Sequence, residues 1–231
     1  MKIERNFDVI TGEKDLELLH TFHNFPVFMG CSDSPREYDV VADMSFWISK
    51  SSGLVQLNPL LPLEVLYPAA HGAGCVGALW AQHHQAFANF IGRFKPHSVL
   101  EIGGAHGILA TNYQKKEMIP WTILEPNPTP IKECKAEFIK GFFDESFTFS
   151  GNVDAIVHSH VFEHIYNPNL FVKNLSDFLN FGSKLIFSVP NMRVMLEKQF
   201  TNCLNFEHTI YLSEVYIETL LTRHGFRVLE K

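Results

Sequence analysis

The sequence predicts an α/β protein: a doubly wound parallel sheet preceded by a small β-containing N-terminal extension. Three observations carry that expectation. From about residue 97, short apolar runs alternate with segments of helical period. The first run ends in a glycine-rich turn, and the second ends in Glu125, 18 residues after Gly107. Residues 1–70 lack this alternation, which puts the expected domains at 1–70 and 71–231.

The elements follow in order. "SVLEIGG" (98–104) is an apolar run stopped by glycines, as a buried parallel strand would be. "WTILEPNP" (121–128) is a second strand, stopped by prolines, and "EFIKGFF" (137–143) a weaker third. "VDAIVHS" (153–159), "SKLIFSVPN" (183–191) and "FRVLEK" (226–231) read as the fourth, fifth and sixth. Helices are expected at 106–117, 129–137, 167–181 and 213–224, the last capped by Ser213 and stopped by Gly225. Right-handed crossovers then cover both faces of the sheet. Residues 74–93 form one further helix leading into it, while 1–70 hold short β-like pieces, "YDVVADMSFWIS" and "GLVQLNP".

Composition narrows the function classes. A hydrophobic content of 46% supports a packed core rather than disorder. The net charge of −6, with no run of like charges, argues against a nucleic-acid partner, which needs a basic face. Cys31, Cys75, Cys134 and Cys203 lie far apart and form no C-x-x-C pair, which suits a reducing cytoplasm. The N-terminus is acidic where a signal peptide is apolar, and no apolar run reaches the ~18 residues that span a bilayer. A cytoplasmic protein without membrane insertion is expected.

The chemistry begins at the glycine turn, Glu101-Ile102-Gly103-Gly104-Ala105-His106-Gly107. Small residues there let a ligand approach the backbone, and the following helix offers free N–H groups. Glu125 is placed to accept bonds from two ribose hydroxyls, a feature that a dinucleotide site would share. Glu101 is not needed by a dinucleotide; a cofactor carrying positive charge would need it. Together Glu101, Gly103, Gly104, Gly107, Glu125 and Pro126 resemble the two nucleotide motifs of class I methyltransferases that use S-adenosylmethionine (SAM). The resemblance implies a Rossmann-like sheet, SAM as cofactor and S-adenosylhomocysteine (SAH) as product. Phe142 or Phe143, with Asp144, is expected to flank the adenine, ordinary core packing being the alternative for the phenylalanines. A strand and a charged turn without ligand, or an oxidoreductase on the same fold, are the competing readings.

The string His160-Val161-Phe162-Glu163-His164 matches H-x-x-E-H, a zinc-peptidase signature. That reading needs both histidines on one helical face and a third, distant ligand. A buried strand directly precedes the string, so His158, Ser159 and His160 read instead as the floor of the methyl-transfer site, and His164 as a supporting or packing histidine.

A wider set of strings resembles the bacterial deoxysugar methyltransferases that carry an N-terminal zinc module: "SGLVQLNPLLPLEVLYP", "LWAQHHQAFANFI", "GFFDE", "HVFEHIYNP", "FSVPNM" and "NFEHTIYLSEVYIETLLTRHGF". This resemblance implies an acceptor site at Glu207-His208, with His208 as general base, Glu207 orienting it and His160 near the acceptor. Tyr67 and His71 would stand at the substrate rim. The alternative for His208 is packing at the helix that begins near Ser213. The acceptor implied is small and nucleotide- or glycan-linked, in capsule or cell-surface polysaccharide synthesis. O-methylation of a sugar hydroxyl or a phosphoramidate is favoured; sugar C-methylation and an inactive SAM-fold scaffold are the alternatives.

Two departures matter. Where that branch has two C-x-x-C-G pairs, this chain has Asp8 and Thr11 before Gly12, and Ser49 and Ser52 before Gly53. Hydroxyls do not replace thiolates as structural zinc ligands, so no metal is expected. The branch also continues into a sugar-binding domain, whereas this sequence stops at Lys231; a truncated chain and a smaller acceptor are both open.

Overall fold

The computed structural model describes residues 2–28, 35–68 and 76–231; the expected rim residue His71 lies outside them. The chain divides into two compact units, one made of Met1–Pro68, Glu163–Lys173 and Pro190–Lys231, the other of Ala69–Phe162 and Asn174–Val189. Among the described residues no helix is long and apolar enough to cross a membrane.

The second unit holds the doubly wound sheet. In the fold's full numbering, the N-terminal strands are β1 (Leu16–Pro26), β2 (Val41–Ser49) and β3 (Val55–Leu57), and the sheet strands are β4 (Val99–Ile102), β5 (Trp121–Glu125), β6 (Glu137–Lys140), β7 (Ala155–Ser159) and β8 (Lys184–Ser188). The five sheet strands are all parallel, in the order β6-β5-β4-β7-β8. The chain winds outward from β4 to β6, then returns to β7 on β4's other side, so strand order reverses between β4 and β7. Ligands in open α/β sheets bind at the carboxyl ends beside such a reversal. β4 and β5 are buried along their whole length, as continuous apolar runs covered on both faces should be. Helix α2 (Ala78–Gly92), which follows the short α1 (Leu63–Leu66), buries Phe87, Ala88 and Ile91. Helix α3 (Ile108–Gln114) buries Leu109 and Tyr113. These side chains pack on Val99, Trp121, Ile123 and Val157 to form the core.

Two expected elements differ. Residues 129–137 contain no helix; turns lead into β6. Pro128 and Pro130 remove backbone donors and bias the residues before them away from helix. The segment lies back on the glycine turn instead, with Thr129 N–H on the Ala105 carbonyl (3.3 Å) and Ile131 N–H on that of His106 (3.0 Å). The expected sixth strand, 226–231, is irregular and largely exposed. Lys231 pairs instead with Glu214 (3.2 Å) and Glu218, on α6 (Glu214–Arg223) of the same unit.

The first unit contains a three-stranded antiparallel sheet in the order β1-β2-β3. Its core joins Met44, Phe46 and Leu57 to Leu66, Met192, Phe206 and Tyr211 from distant parts of the chain, Met192 opening α5 (Met192–Glu197). The segment after His208 extends this sheet: Leu57 N–H donates to the Thr209 carbonyl and Tyr211 N–H to that of Val55, both at 2.9 Å. α4 (Pro168–Phe178) starts where the Asn167 side chain accepts the Leu170 N–H (3.0 Å), and α6 buries Ile217, Leu220 and Leu221.

Asp8, Thr11, Ser49 and Ser52 are brought together as well. Asp8, wholly buried, accepts the N–H groups of Ile10 (2.7 Å) and Thr11 (3.1 Å) and the Ser52 hydroxyl (2.5 Å). The Ser49 hydroxyl accepts the Ser52 N–H (3.3 Å). Gly12 and Gly53 follow with φ of +85° and +75°, each N–H closing onto the carbonyl four residues back.

Candidate active site

In the sheet unit the site is built at the carboxyl ends of β4 and β5. Gly103 and Gly107 both have φ of +72°, which glycine adopts without strain. A Cβ on Gly103 would meet Val161 Cγ2 at 2.6 Å, one on Gly104 would meet Ile123 Cγ2 at 2.6 Å, and one on Gly107 would collide with Cys134 Sγ. The turn therefore has no room for side chains, and the helix α3 begins immediately after it.

Two carboxylates flank this turn. Glu101 is buried and accepts the Trp121 indole N–H at 2.8 Å. Burial pushes its pKa up, the indole bond works against that, the Glu125 charge adds to it, and the carboxyl ends at about 7. Glu125 holds the turn's backbone, taking the Ala105 N–H on Oε2 and the Asn127 N–H on Oε1, both at 3.0 Å. Each oxygen keeps a further lone pair for a ligand hydroxyl. Pro126 follows and stops the strand.

The other expected cofactor residues divide. Phe143 packs on Phe147 and Phe178, each at 5.5 Å between rings, whereas Phe142 is exposed. Asp144 closes its own turn on the Ser146 N–H (2.8 Å) and hydroxyl (2.6 Å). His158 is wholly buried, stacked on Phe187 at 4.8 Å, so it packs inside the sheet and only Ser159 reaches the partly exposed strand end. The Ser159 hydroxyl bonds His83 Nε2 (2.9 Å) and the Ser188 hydroxyl (2.8 Å). His160 has φ of +53°, costly for a residue with a side chain, and its ring lies against Trp80 (5.0 Å) and His83 (5.1 Å). Burial, then the neighbouring His160 and His84, hold His83 down at about 4, so its imidazole is neutral at physiological pH. Trp80 and His83 escape a reading by motif: "LWAQHHQAF" reveals a helix, but its spacing does not say which of its faces meets Ser159.

The second cluster lies wholly within the first unit. Phe162–His164 is a single 3-10 turn, so the backbone of His160 and that of His164 do not share a helix, as the zinc-peptidase reading requires. Glu163 is buried, with Oε1 3.8 Å from His164 Nε2. His164 Nδ1 is 2.8 Å from the Tyr67 hydroxyl and 3.7 Å from Glu207 Oε2, and its ring lies 5.2 Å from that of His208. Tyr67 and Glu207-His208, expected at the acceptor, are thus brought to His164, which the sequence suggested only as a support. Asn205 Oδ1 accepts the N–H groups of Glu207 (2.9 Å) and His208 (2.7 Å). Thr209 N–H bonds the Glu163 carbonyl (2.9 Å), tying the two segments together. The α6 cap position is Ser213; His208 is engaged with His164 instead.

Behind this cluster lies Arg5, which no motif marked. Its buried guanidinium donates to the carbonyls of Leu57 (2.9 Å), Thr209 (2.5 Å) and Tyr166 (3.3 Å). Burial pushes its pKa down to about 9, against a smaller opposing pull from Tyr166, and it remains a cation at neutral pH. Chemically, the cluster offers two imidazoles and two carboxylates for proton transfer. One donor atom each from Glu163, His164 and His208 lies within 4.8 Å of the others, the one group of metal-binding type among the described residues.

Comparison with known proteins bears on the sheet unit and beyond. A family model described as a methyltransferase domain matches residues 77–231, more than half of the chain. No curated protein matches. Among solved structures, an O-methyltransferase family protein from Burkholderia thailandensis aligns with a TM-score of 0.52 at 12% identity, over 66% of this chain and 52% of that one. The mitomycin 7-O-methyltransferase MmcR aligns with a TM-score of 0.51 at 18% identity, over 64% and 48%. The plantazolicin methyltransferase BpumL, solved with SAH, gives 0.48 at 17% identity, over 63% of each chain. The chain thus spans less than two thirds of each of these structures. At such identities the likeness is one of fold.

Proposed function

The chain belongs to the methyltransferase-domain family, and from that premise we propose that it transfers the methyl group of SAM to an oxygen of a small acceptor, releasing SAH. The observation that carries the reading is the pair of buried carboxylates, Glu101 and Glu125, on either side of a turn too crowded for side chains. Glu101 would take the cationic methionine end of SAM, whose charge favours the ionised carboxylate. Glu125 would take the ribose diol through its remaining lone pairs.

In the transfer the acceptor oxygen attacks the sulfonium methyl carbon, the C–S bond breaks toward sulfur, and the acceptor's proton must leave. His208 is the base we assign, because a histidine accepts a proton near neutral pH. Support comes from its surroundings: Asn205 and Thr209 fix its backbone, and the neighbouring His164 is oriented by Tyr67 and Glu207. Tyr67 is then a positioning residue rather than a rim contact. His160, bent into the left-handed region beside Trp80 and His83, would hold the acceptor from the strand end.

The acceptor we infer is nucleotide- or glycan-linked, of the kind used in capsule or cell-surface polysaccharide synthesis in the cytoplasm. A sugar hydroxyl and a phosphoramidate oxygen are the leading sites, on the resemblance of "NFEHTIY" and "HVFEHIYNP" to the deoxysugar methyltransferases. Calorimetry tests the cofactor: Glu125→Ala should weaken SAM binding at least tenfold, since each lost hydrogen bond to a charged group is worth roughly 1.5–3 kcal/mol. Unchanged affinity sinks the assignment. SAH release against a panel of sugar nucleotides and phosphoramidates tests the acceptor; SAM binding without turnover on any of them would favour a scaffold.

A further inference from the structure

We propose that Glu163, His164 and His208 together hold one divalent transition-metal ion of borderline softness, for which Zn2+ is the natural representative. Each residue presents one donor atom, and the three lie within 4.8 Å of one another. Metal–nitrogen and metal–oxygen bonds of about 2.0–2.2 Å place neighbouring ligands roughly 3.3–3.5 Å apart in a tetrahedral site. The separation of 3.8 Å between His164 Nε2 and Glu163 Oε1 is too long for a hydrogen bond and close to that ligand spacing. The other separations, up to 4.8 Å, would close to that spacing by side-chain rotation on binding.

Three features beyond proximity support the site. His164 Nδ1 is occupied by the Tyr67 hydroxyl at 2.8 Å, with Glu207 Oε2 at 3.7 Å. A histidine that ligates a metal through one nitrogen commonly donates its other N–H to an oxygen in this way, which fixes the tautomer and aims the lone pair. Next, the Glu163 side chain is only 1% exposed, so an ion held there would be shielded from water and its attraction to the carboxylate strengthened. Finally, the two chain segments are tied by backbone, through Thr209 N–H on the Glu163 carbonyl and Asn205 on the N–H of His208. The donors are thus preorganised by the fold rather than by flexible side chains alone.

Two imidazoles and one carboxylate suit zinc, cobalt, nickel or iron better than magnesium or calcium. Three protein donors leave at least one coordination position open, and because a ligated imidazole accepts no proton, an ion here would take His208 out of its assigned role as base and inhibit methyl transfer. The site differs from the one suggested by the H-x-x-E-H string, because His160 belongs to the other unit and His208 takes its place.

The test uses the full chain, stripped with EDTA, titrated with Co2+ in the absence of SAM, and then competed with Zn2+. One Co2+ per chain should bind with visible d–d absorption, and Zn2+ should displace it. His164→Ala and His208→Ala should abolish the absorption, with circular dichroism confirming that the variants fold. The milder His208→Asn and Glu163→Gln should weaken binding at least tenfold, and Glu207→Gln by tenfold to a hundredfold with stoichiometry kept. Glu125→Ala, which removes a cofactor contact, should leave the metal titration unchanged, so a failure of the SAM assignment and a failure of the metal site read out separately. The proposal is overturned if no saturable Co2+ binding occurs. Binding that survives His208→Ala or His208→Asn undiminished, or that is lost in His83→Ala, overturns it equally.

Discussion

A carboxyl buried as deeply as Glu101, with the Trp121 indole as its donor, is costly to ionise, and its pKa of about 7 expresses that cost. The raised value means that the folded protein holds a proton which the unfolded chain releases near pH 4.5. Glu101 therefore lowers stability progressively as pH rises from the unfolded value to about 7, and the full penalty of about 3 kcal/mol persists above it. A cationic cofactor reverses the preference. SAM affinity should accordingly rise by roughly tenfold between pH 6 and 8 as the carboxyl ionises, and Glu101→Gln should flatten the profile while lowering affinity. A pH-independent wild-type affinity would exclude a direct contact between Glu101 and the cofactor's charge. At the other cluster, His208→Ala should lower kcat by ~10²–10⁴-fold with SAM affinity little changed. Tyr67→Phe, which removes only the bond that orients His164, should cost kcat about tenfold. Normal turnover by both variants would move the base elsewhere, with His160 next to be tested.

At the scale of elements, the glycine turn makes a sharp prediction. A methyl group on Gly104 would stand 2.6 Å from Ile123 Cγ2 and 2.8 Å from Glu101 Cδ, so it must displace the carboxyl. Gly104→Ala should destabilise the protein by about 1–3 kcal/mol in a denaturant titration and weaken SAM binding at least tenfold. Intact affinity would mean that Glu101 can move without consequence. This turn was legible in the sequence because its requirement is local: a strand period, then residues with no Cβ. The central strands were legible for the same reason, since β4 and β5 are buried on both faces and read as unbroken apolar runs. β1 was not, because "LELLHTFHNFP" carries register shifts between Leu18 and His20 and between Phe22 and Phe25, which erase its alternation. The helix expected at 129–137 failed where Pro128 and Pro130 overrode apparent periodicity. The convergence of Tyr67, His164 and Glu207 could not be read at all, because it depends on chain segments 97 and 43 residues away from His164 packing together. Glu207-His208 was visible only through family resemblance, and Arg5 through neither route.

At the scale of the whole molecule, the first unit is assembled from three separate stretches of chain, and its stability depends on the residues that stitch them. Arg5 joins carbonyls from all three, at Leu57, Tyr166 and Thr209, while Asp8 binds the two N-terminal turns that contain Gly12 and Gly53. Burial works to raise the Asp8 pKa, but the Ser52 hydroxyl and the N–H groups of Ile10 and Thr11 outweigh it, and the carboxyl is held below the usual range. A depressed folded pKa contributes stability that is fully present above the unfolded value of about 3.9 and is lost as pH falls through the folded one. Asp8→Asn preserves the side chain's size and removes the charge, and its amide nitrogen cannot accept a hydrogen bond. It should destabilise the protein at neutral pH by roughly 1–3 kcal/mol, read from the midpoint of denaturant unfolding. The deficit should shrink below about pH 4, where the wild-type carboxyl takes up its own proton and the two proteins converge. A deficit that stays constant into acid would assign the loss to packing, and the ionised Asp8 would then have no part in holding the two turns together.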